Sequence, residues 1–238
     1  MTARLTRAGA GLLLVAVAST PVAIAVAASN GYEHAIRWYG RLARAGDVEA
    51  QYLLGYALER SSAPLEQALE WYERAAEGTY APAAFRIGLA HDTGDVLPRE
   101  PELAAEWYTR AAEAGNPAAM MNLALLHDPA DGPLADPALA ARWYRAAVEA
   151  GEPRAAFNLG LLLHEHPEIA GFPDAALVWM LVAAEAGVPD ADAAADLMAS
   201  RLDDDALAEA RRRALTLSAP AWVLRPPEPR PDASADRS

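Results

Sequence analysis

His91 and His127 each lie twenty residues after a tryptophan, and His164 lies twenty-one after another, so imidazoles recur at nearly one place in the chain. Imidazoles in register raise the question of a metal. A zinc ion needs each ligand atom at about 2 Å, whereas equivalent sites on stacked helices stand roughly 8 to 10 Å apart or more. A shared ion therefore fails on distance. His164 and His166 flank Glu165, but residues two apart on a helix point to different sides, and no HExxH or comparable ligand spacing occurs. The histidines read as helix-end packing.

Carboxylates are plentiful, with 33 Asp and Glu residues. Glu70, Glu73, Glu106 and the run Asp203 to Asp205 fall on expected solvent faces, without the sheltered cleft that an acid–base pair requires. A carboxylate-dependent hydrolase is an alternative with no motif behind it. Covalent chemistry is more restricted still. There is no cysteine, which removes thiolate nucleophiles and disulfides, and no lysine, so all 20 basic residues are arginine and neither a P-loop lysine nor a Schiff base is available. No G-x-S-x-G is present, and the only glycine-rich stretch, Gly9 to Gly11, lies at the N-terminus. No motif points to a cofactor. A formal charge of -13 repels phosphate backbones and argues against nucleic acid.

What must position these residues is a repeat. Tryptophans stand at 38, 71, 107, 143 and 179, spaced by 33, 36, 36 and 36 residues. Three positions before them are Ala35, Ala68, Ala104, Ala140 and Ala176; twelve after are Ala50, Ala83, Ala119, Ala155 and Ala191. One position after is Tyr39, Tyr72, Tyr108, Tyr144 and then Met180; sixteen after is Leu54, Ile87, Leu123, Leu159 and then Ala195. Within a unit, Ala104, Trp107, Tyr108, Ala111 and Ala112 trace one apolar helical face, and Ala119, Leu123 and Leu126 trace a second. Between them, EAGNP, EAGEP and EAGVP place a helix-ending glycine and then a proline suited to the next first turn, with Asn116 as a cap. The first unit uses Gly46-Asp47, and the second shifts its glycine back by one, to Gly78. Gly55, Gly88, Ala124 and Gly160, seventeen after the tryptophan, predict close approach between the two helices of a unit. One pair cannot bury its own face, so pairs must stack.

The order A-x-x-W-Y-x-x-A-A-x-x-G-x-x-x-A-x-x-x-L-G resembles the Sel-one-like repeat, a relative of the tetratricopeptide repeat, over about residues 32 to 200. The resemblance implies an all-α, right-handed superhelical solenoid of five antiparallel helix pairs, at about 32–62, 63–97, 98–133, 134–170 and 171–201. It also implies a role as an adaptor for protein or peptide partners rather than an enzyme, with the first helices on the concave side. Exposed positions there include Arg37, Arg41, Glu70, Glu73, Arg74, Glu106, Arg110, Arg142 and Arg145. Arg41, Arg74 and Arg110 are equivalent and form a candidate row for gripping carboxylates. The plainer reading makes Glu70 with Arg74, and Glu106 with Arg110, ordinary i, i+4 surface pairs. Related exported solenoids also suggest a scaffold for cell-wall or exopolysaccharide assembly. The family connection G-x-G-V-x-x-D is only partly kept, at Gly94-Asp95-Val96, and is altered at Asp131-Gly132-Pro133.

The termini differ from the repeats. Arg4 and Arg7 precede an apolar stretch from Ala8, and small residues follow Pro21, so residues 1–28 read as an export signal or an uncleaved membrane anchor. Either places the repeats outside the cytoplasm, in the periplasm or secreted. At the other end, Ala195 and Asp196 replace the leucine and the small residue, which predicts that the second helix of the last pair packs less tightly and faces solvent. Residues 202–217 predict a capping helix with Asp203 to Asp205 at its start, and 218–238 a Pro-rich disordered tail. Trp222, Val223 and Leu224 are expected to dock on the apolar helix Leu177 to Val182.

Overall fold

The computed structural model describes residues 29–95, 97–130 and 132–218. The expectations for segment 1–28, for Val96 and Asp131, and for residues 219–238 with their Trp222–Leu224 anchor lie outside the described residues. Those residues form eleven α-helices and no strand: α1 (Ser29–Arg44), α2 (Val48–Glu59), α3 (Leu65–Glu77), α4 (Ala81–Thr93), α5 (Pro101–Glu113), α6 (Pro117–His127), α7 (Pro137–Glu149), α8 (Arg154–Glu165), α9 (Ala175–Glu185), α10 (Ala191–Ala199) and α11 (Asp204–Ser218). Each helix from α1 to α9 packs on the next in the chain, which makes an all-α helical solenoid.

Every first helix ends the same way. The residue eight after the tryptophan is left-handed in all five units: Gly46, Thr79, Gly115, Gly151 and Gly187. The amides that follow fold back onto the last turn, as in Asn116 N to Ala111 O at 3.0 Å and Glu152 N to Ala147 O at 2.9 Å. The second unit thus keeps the register and forces a threonine into it at φ 62°, although Gly78 stands next door. Gly78 has another task, because a Cβ there would lie 2.8 Å from Val48 Cγ2 at the start of α2. Two second helices begin on side-chain caps: Asp47 accepts from Ala50 N at 2.7 Å, and Asn116 from Ala119 N at 3.0 Å as its sequence context predicts.

The alanines and aliphatics that recur before and after the tryptophans fill the core: Ala68, Ala104, Ala140, Ala83, Ala119, Ala155, Ile87, Leu123 and Leu159 are all buried. The core is divided into three successive clusters rather than one centre, and Trp107 and Trp143 each lie against two neighbouring clusters, so the indoles march along the stack. The recurring small residue works differently from expectation. A Cβ on Gly55 would meet the Tyr72 ring at 2.8 Å, and one on Gly88 the Tyr108 ring at 2.7 Å. The close approach is therefore between units, the second helix of one against the first helix of the next, and not within a pair.

At the C-terminal end α11 folds back onto α9 instead of continuing the ladder on α10. With α8, α10 and α11 all against it, α9 buries Leu177, Val178, Trp179, Met180 and Val182, which accounts for a helix apolar on every side. Asp203 caps α11 by accepting from Ala206 N at 2.8 Å. Asp196 and Leu197 on α10 are exposed, as the loss of the small residue predicts.

Candidate functional site

The first helices set out the candidate surface. Arg37, Arg41, Glu70, Glu73, Arg74, Glu106, Arg110 and Arg142 are exposed there, and Arg145 is half-buried. The expected Glu70–Arg74 and Glu106–Arg110 ion pairs do not form; three residues earlier is a better partner. The Arg74 guanidinium lies 4.5 Å from the centre of the Trp71 ring, Arg110 4.5 Å from Trp107, and Arg41 5.6 Å from Trp38. A cation over an indole at an exposed site contributes about 0.5 to 1 kcal/mol, and it holds a flexible side chain flat. Three such rungs run along α1, α3 and α5. They stop at α7, where Ala146 occupies the arginine position after Trp143, so Arg142 and Arg145 do not extend the row.

The units are joined by a polar ladder that the sequence reading missed. The Tyr72 hydroxyl donates to Glu59 at the end of α2, and the same carboxylate accepts from Arg86 at 3.1 Å. Tyr108 reaches Asp92 at 3.4 Å and accepts from Asn122 at 3.0 Å. Tyr144 donates to Asp128 at 2.9 Å, and Asp128 is 1% exposed. Glu59, Asp92 and Asp128 share one place, twenty-one residues after their tryptophans, a regularity present in the sequence but hidden among surface-type acids. Burial first, and the acid beside it second, push the Tyr72 and Tyr108 hydroxyls well above their ordinary range, so they stay protonated donors. Where the tyrosine becomes Met180, the acid position becomes His164, which is exposed. Acid and hydroxyl leave together.

The histidines also sit in these joints. His91 Nδ1 is 3.2 Å from a Glu100 carboxylate oxygen without hydrogen-bond alignment, and the His91 carbonyl accepts from Glu100 N at 2.9 Å. His127 repeats the backbone link, its carbonyl accepting from Asp136 N at 2.7 Å. Each histidine thus ties the end of a second helix to the residue capping the next first helix. Desolvation lowers the His127 pKa against the opposing pull of Asp136. Among the described residues no group of three His, Asp or Glu side chains is placed to hold a metal ion, and no helix is long and apolar enough to cross a membrane.

The repeat, its joints and the left-handed stop in every unit agree with one family. A model described as Sel1 repeat matches residues 28–47, 48–80, 81–116, 117–152 and 153–188. The chain belongs to the Sel1 repeat family. From the second match onward each Sel1 window opens at or just before a second helix and closes after the following first helix, so it encloses the joint between the two. Sel1 repeat proteins generally mediate protein–protein interactions, and the fold is generally a non-enzymatic scaffold. Among solved structures, a Sel1 repeat protein from Oxalobacter formigenes superposes with a TM-score of 0.61 at 23% identity, over 80% of this chain and 84% of that one. The protein c5321, a protective antigen present in uropathogenic Escherichia coli strains and displaying an SLR fold, superposes with a TM-score of 0.60 at 29% identity, over 76% of this chain and 40% of that one. This chain therefore spans about two fifths of c5321. No curated protein matches.

Proposed function

We propose that this Sel1 solenoid is a non-catalytic adaptor, working outside the cytoplasm, that holds a segment of a protein partner along the exposed face of α1, α3 and α5. The observation that carries the reading is the set of three Arg-on-Trp rungs in successive repeats. Each rung offers a pre-ordered fork for a carboxylate, which lowers the ordering cost of binding. Glu70, Glu73 and Glu106 flank the arginines, so the surface fits a segment carrying both signs of charge. Tyr72, Tyr108 and Tyr144 and the acids Glu59, Asp92 and Asp128 are engaged in joints between repeats. Export rests on the basic-then-apolar pattern of residues 1–28.

The test is in-cell cross-linking of the tagged chain, with the mature N-terminus read from the same sample. Replacing Arg41, Arg74 and Arg110 together by alanine is expected to lose the captured partner while the helical circular dichroism is kept. Unchanged partners refute the row, and a cytoplasmic chain still beginning at Met1 refutes export.

A further inference from the structure

Three of the four joints between units share one construction. Under each tyrosine lies a small residue of the preceding second helix, and four positions further on stands the acid that meets the hydroxyl: Gly55 and Glu59 for Tyr72, Gly88 and Asp92 for Tyr108, Ala124 and Asp128 for Tyr144. Helix α1 carries the receiving half of the same joint in Ala35, Trp38, Tyr39 and Leu42, but no second helix precedes it among the described residues. The consequences are local. Tyr39 is only half-buried, whereas Tyr72, Tyr108 and Tyr144 are closed off. Leu42 is 43% exposed where Ala75, Ala111 and Ala147 are fully covered, and Trp38 is 60% exposed. His34, Arg37 and Arg41 border a shallow concavity beside Trp38.

We propose that this edge of α1 is a socket for a helix of a partner protein bearing a small residue followed four positions later by Asp or Glu. The helix would lie across Tyr39 and Leu42 as α2 lies across Tyr72 and Ala75, giving its carboxylate to the Tyr39 hydroxyl and further acids to Arg37 and Arg41. The interior joints define the chemistry, and the basic rim favours an acidic helix. The chain's other segments do not supply it. Residues 1–28 contain no acid, and residues 219–238 contain no glycine or alanine followed four positions later by an acid. A second copy joined head to tail would present α10, where Asp196 and Ser200 stand in the places of the small residue and the acid. A carboxylate beneath the tyrosine ring blocks that union.

The probe is a stapled peptide with the sequence of residues 48–60, which contains Gly55 and Glu59, titrated as a labelled ligand into the full chain. One-to-one saturable binding is expected. It should weaken about fivefold to tenfold on Tyr39→Phe or on changing the peptide's Glu59 to Gln, with little further loss when both are changed, as one shared hydrogen bond requires. Leu42→Asp should abolish it, and Arg74→Ala with Arg110→Ala should leave it unchanged, which separates this socket from the arginine row. Absence of saturable binding, or binding indifferent to Tyr39→Phe, overturns the proposal. So does binding that appears only after residues 1–28 are removed, which makes the chain its own occupant. A dimer dissolved by Leu42→Asp overturns it too, in favour of a second copy.

Discussion

Gly88→Ala and Gly40→Ala are the same chemical change in two helices, and the structure assigns them opposite signs. In an open helix the added methyl group stabilises by about 1 kcal/mol through lower backbone entropy in the unfolded chain. At Gly40 the new Cβ would find only the Arg44 guanidinium at 3.4 to 3.5 Å, the movable end of a long side chain, so most of that gain should appear. At Gly88 it would lie 2.7 Å from Tyr108 Cδ1, 2.8 Å from Cε1 and 3.2 Å from Cγ. The ring is fully buried and its hydroxyl is tied to Asn122 and Asp92, so retreat by the several tenths of an ångström needed also disturbs that bond. Overpacking of this kind costs up to about 3 kcal/mol, which leaves a net loss of about 2 after the helix gain. For a domain of this size that is a fall of about 4 to 8 °C in Tm by circular dichroism. In a Tyr108→Leu background the clash disappears, and Gly88→Ala should then stabilise. A Gly88→Ala protein that melts at or above the wild-type temperature refutes the reading of the joint as a seat for the next repeat's tyrosine.

Thr79→Gly should raise stability by about 1 kcal/mol, measured by urea unfolding, because a β-branched residue at φ 62° is strained where the other four units carry glycine. Gly78→Ala should destabilise through Val48 Cγ2, and Val48→Ala should relieve it, giving a coupling of about 1 kcal/mol in a double-mutant cycle; simple additivity would contradict the contact. His127 has a folded-state pKa below its ordinary 6.5, so the folded protein binds fewer protons than the unfolded one, and its contribution is present above that pH and lost as pH falls through it. Wild type minus His127→Gln, followed by denaturant unfolding at a series of pH values, should therefore decline from about pH 7 downward, and a difference that grows there is the wrong sign.

The helices, their stops and the buried positions were legible because each depends on neighbours close in sequence. A left-handed stop needs a glycine at one place, and an apolar stripe needs a period of 3.6. The second unit shows the limit of that logic: Gly78 looks like the stop, yet Val48, thirty residues earlier, requires it, and Thr79 takes the strained position. The arginine row was visible as a row, but the choice between Glu70 and Trp71 as the partner of Arg74 is a rotamer preference that spacing alone leaves open. Glu59, Asp92 and Asp128 were overlooked because an acid near a helix end ordinarily faces water, and only assembly brings a buried hydroxyl to it.

The joint gives the solenoid a direction. From α1 to α7 each second helix offers a small residue and an acid, and each first helix offers a tyrosine, so the stack grows only when an offering face meets a receiving one. At the C-terminal end both halves are dismantled: Met180 and His164 remove the last bond, Asp196 and Ser200 spoil the next offering face, and α11 turns back over α9. Nothing equivalent has been done to α1 among the described residues. It keeps Tyr39 and enlarges the alanine position to Leu42, a change that adds apolar surface where no second helix among the described residues covers it. A chain that only needed to stop would have replaced these with polar residues, as it does on α10. Retention of the receiving half, with more apolar area and a basic rim, is what a surface built to be covered requires.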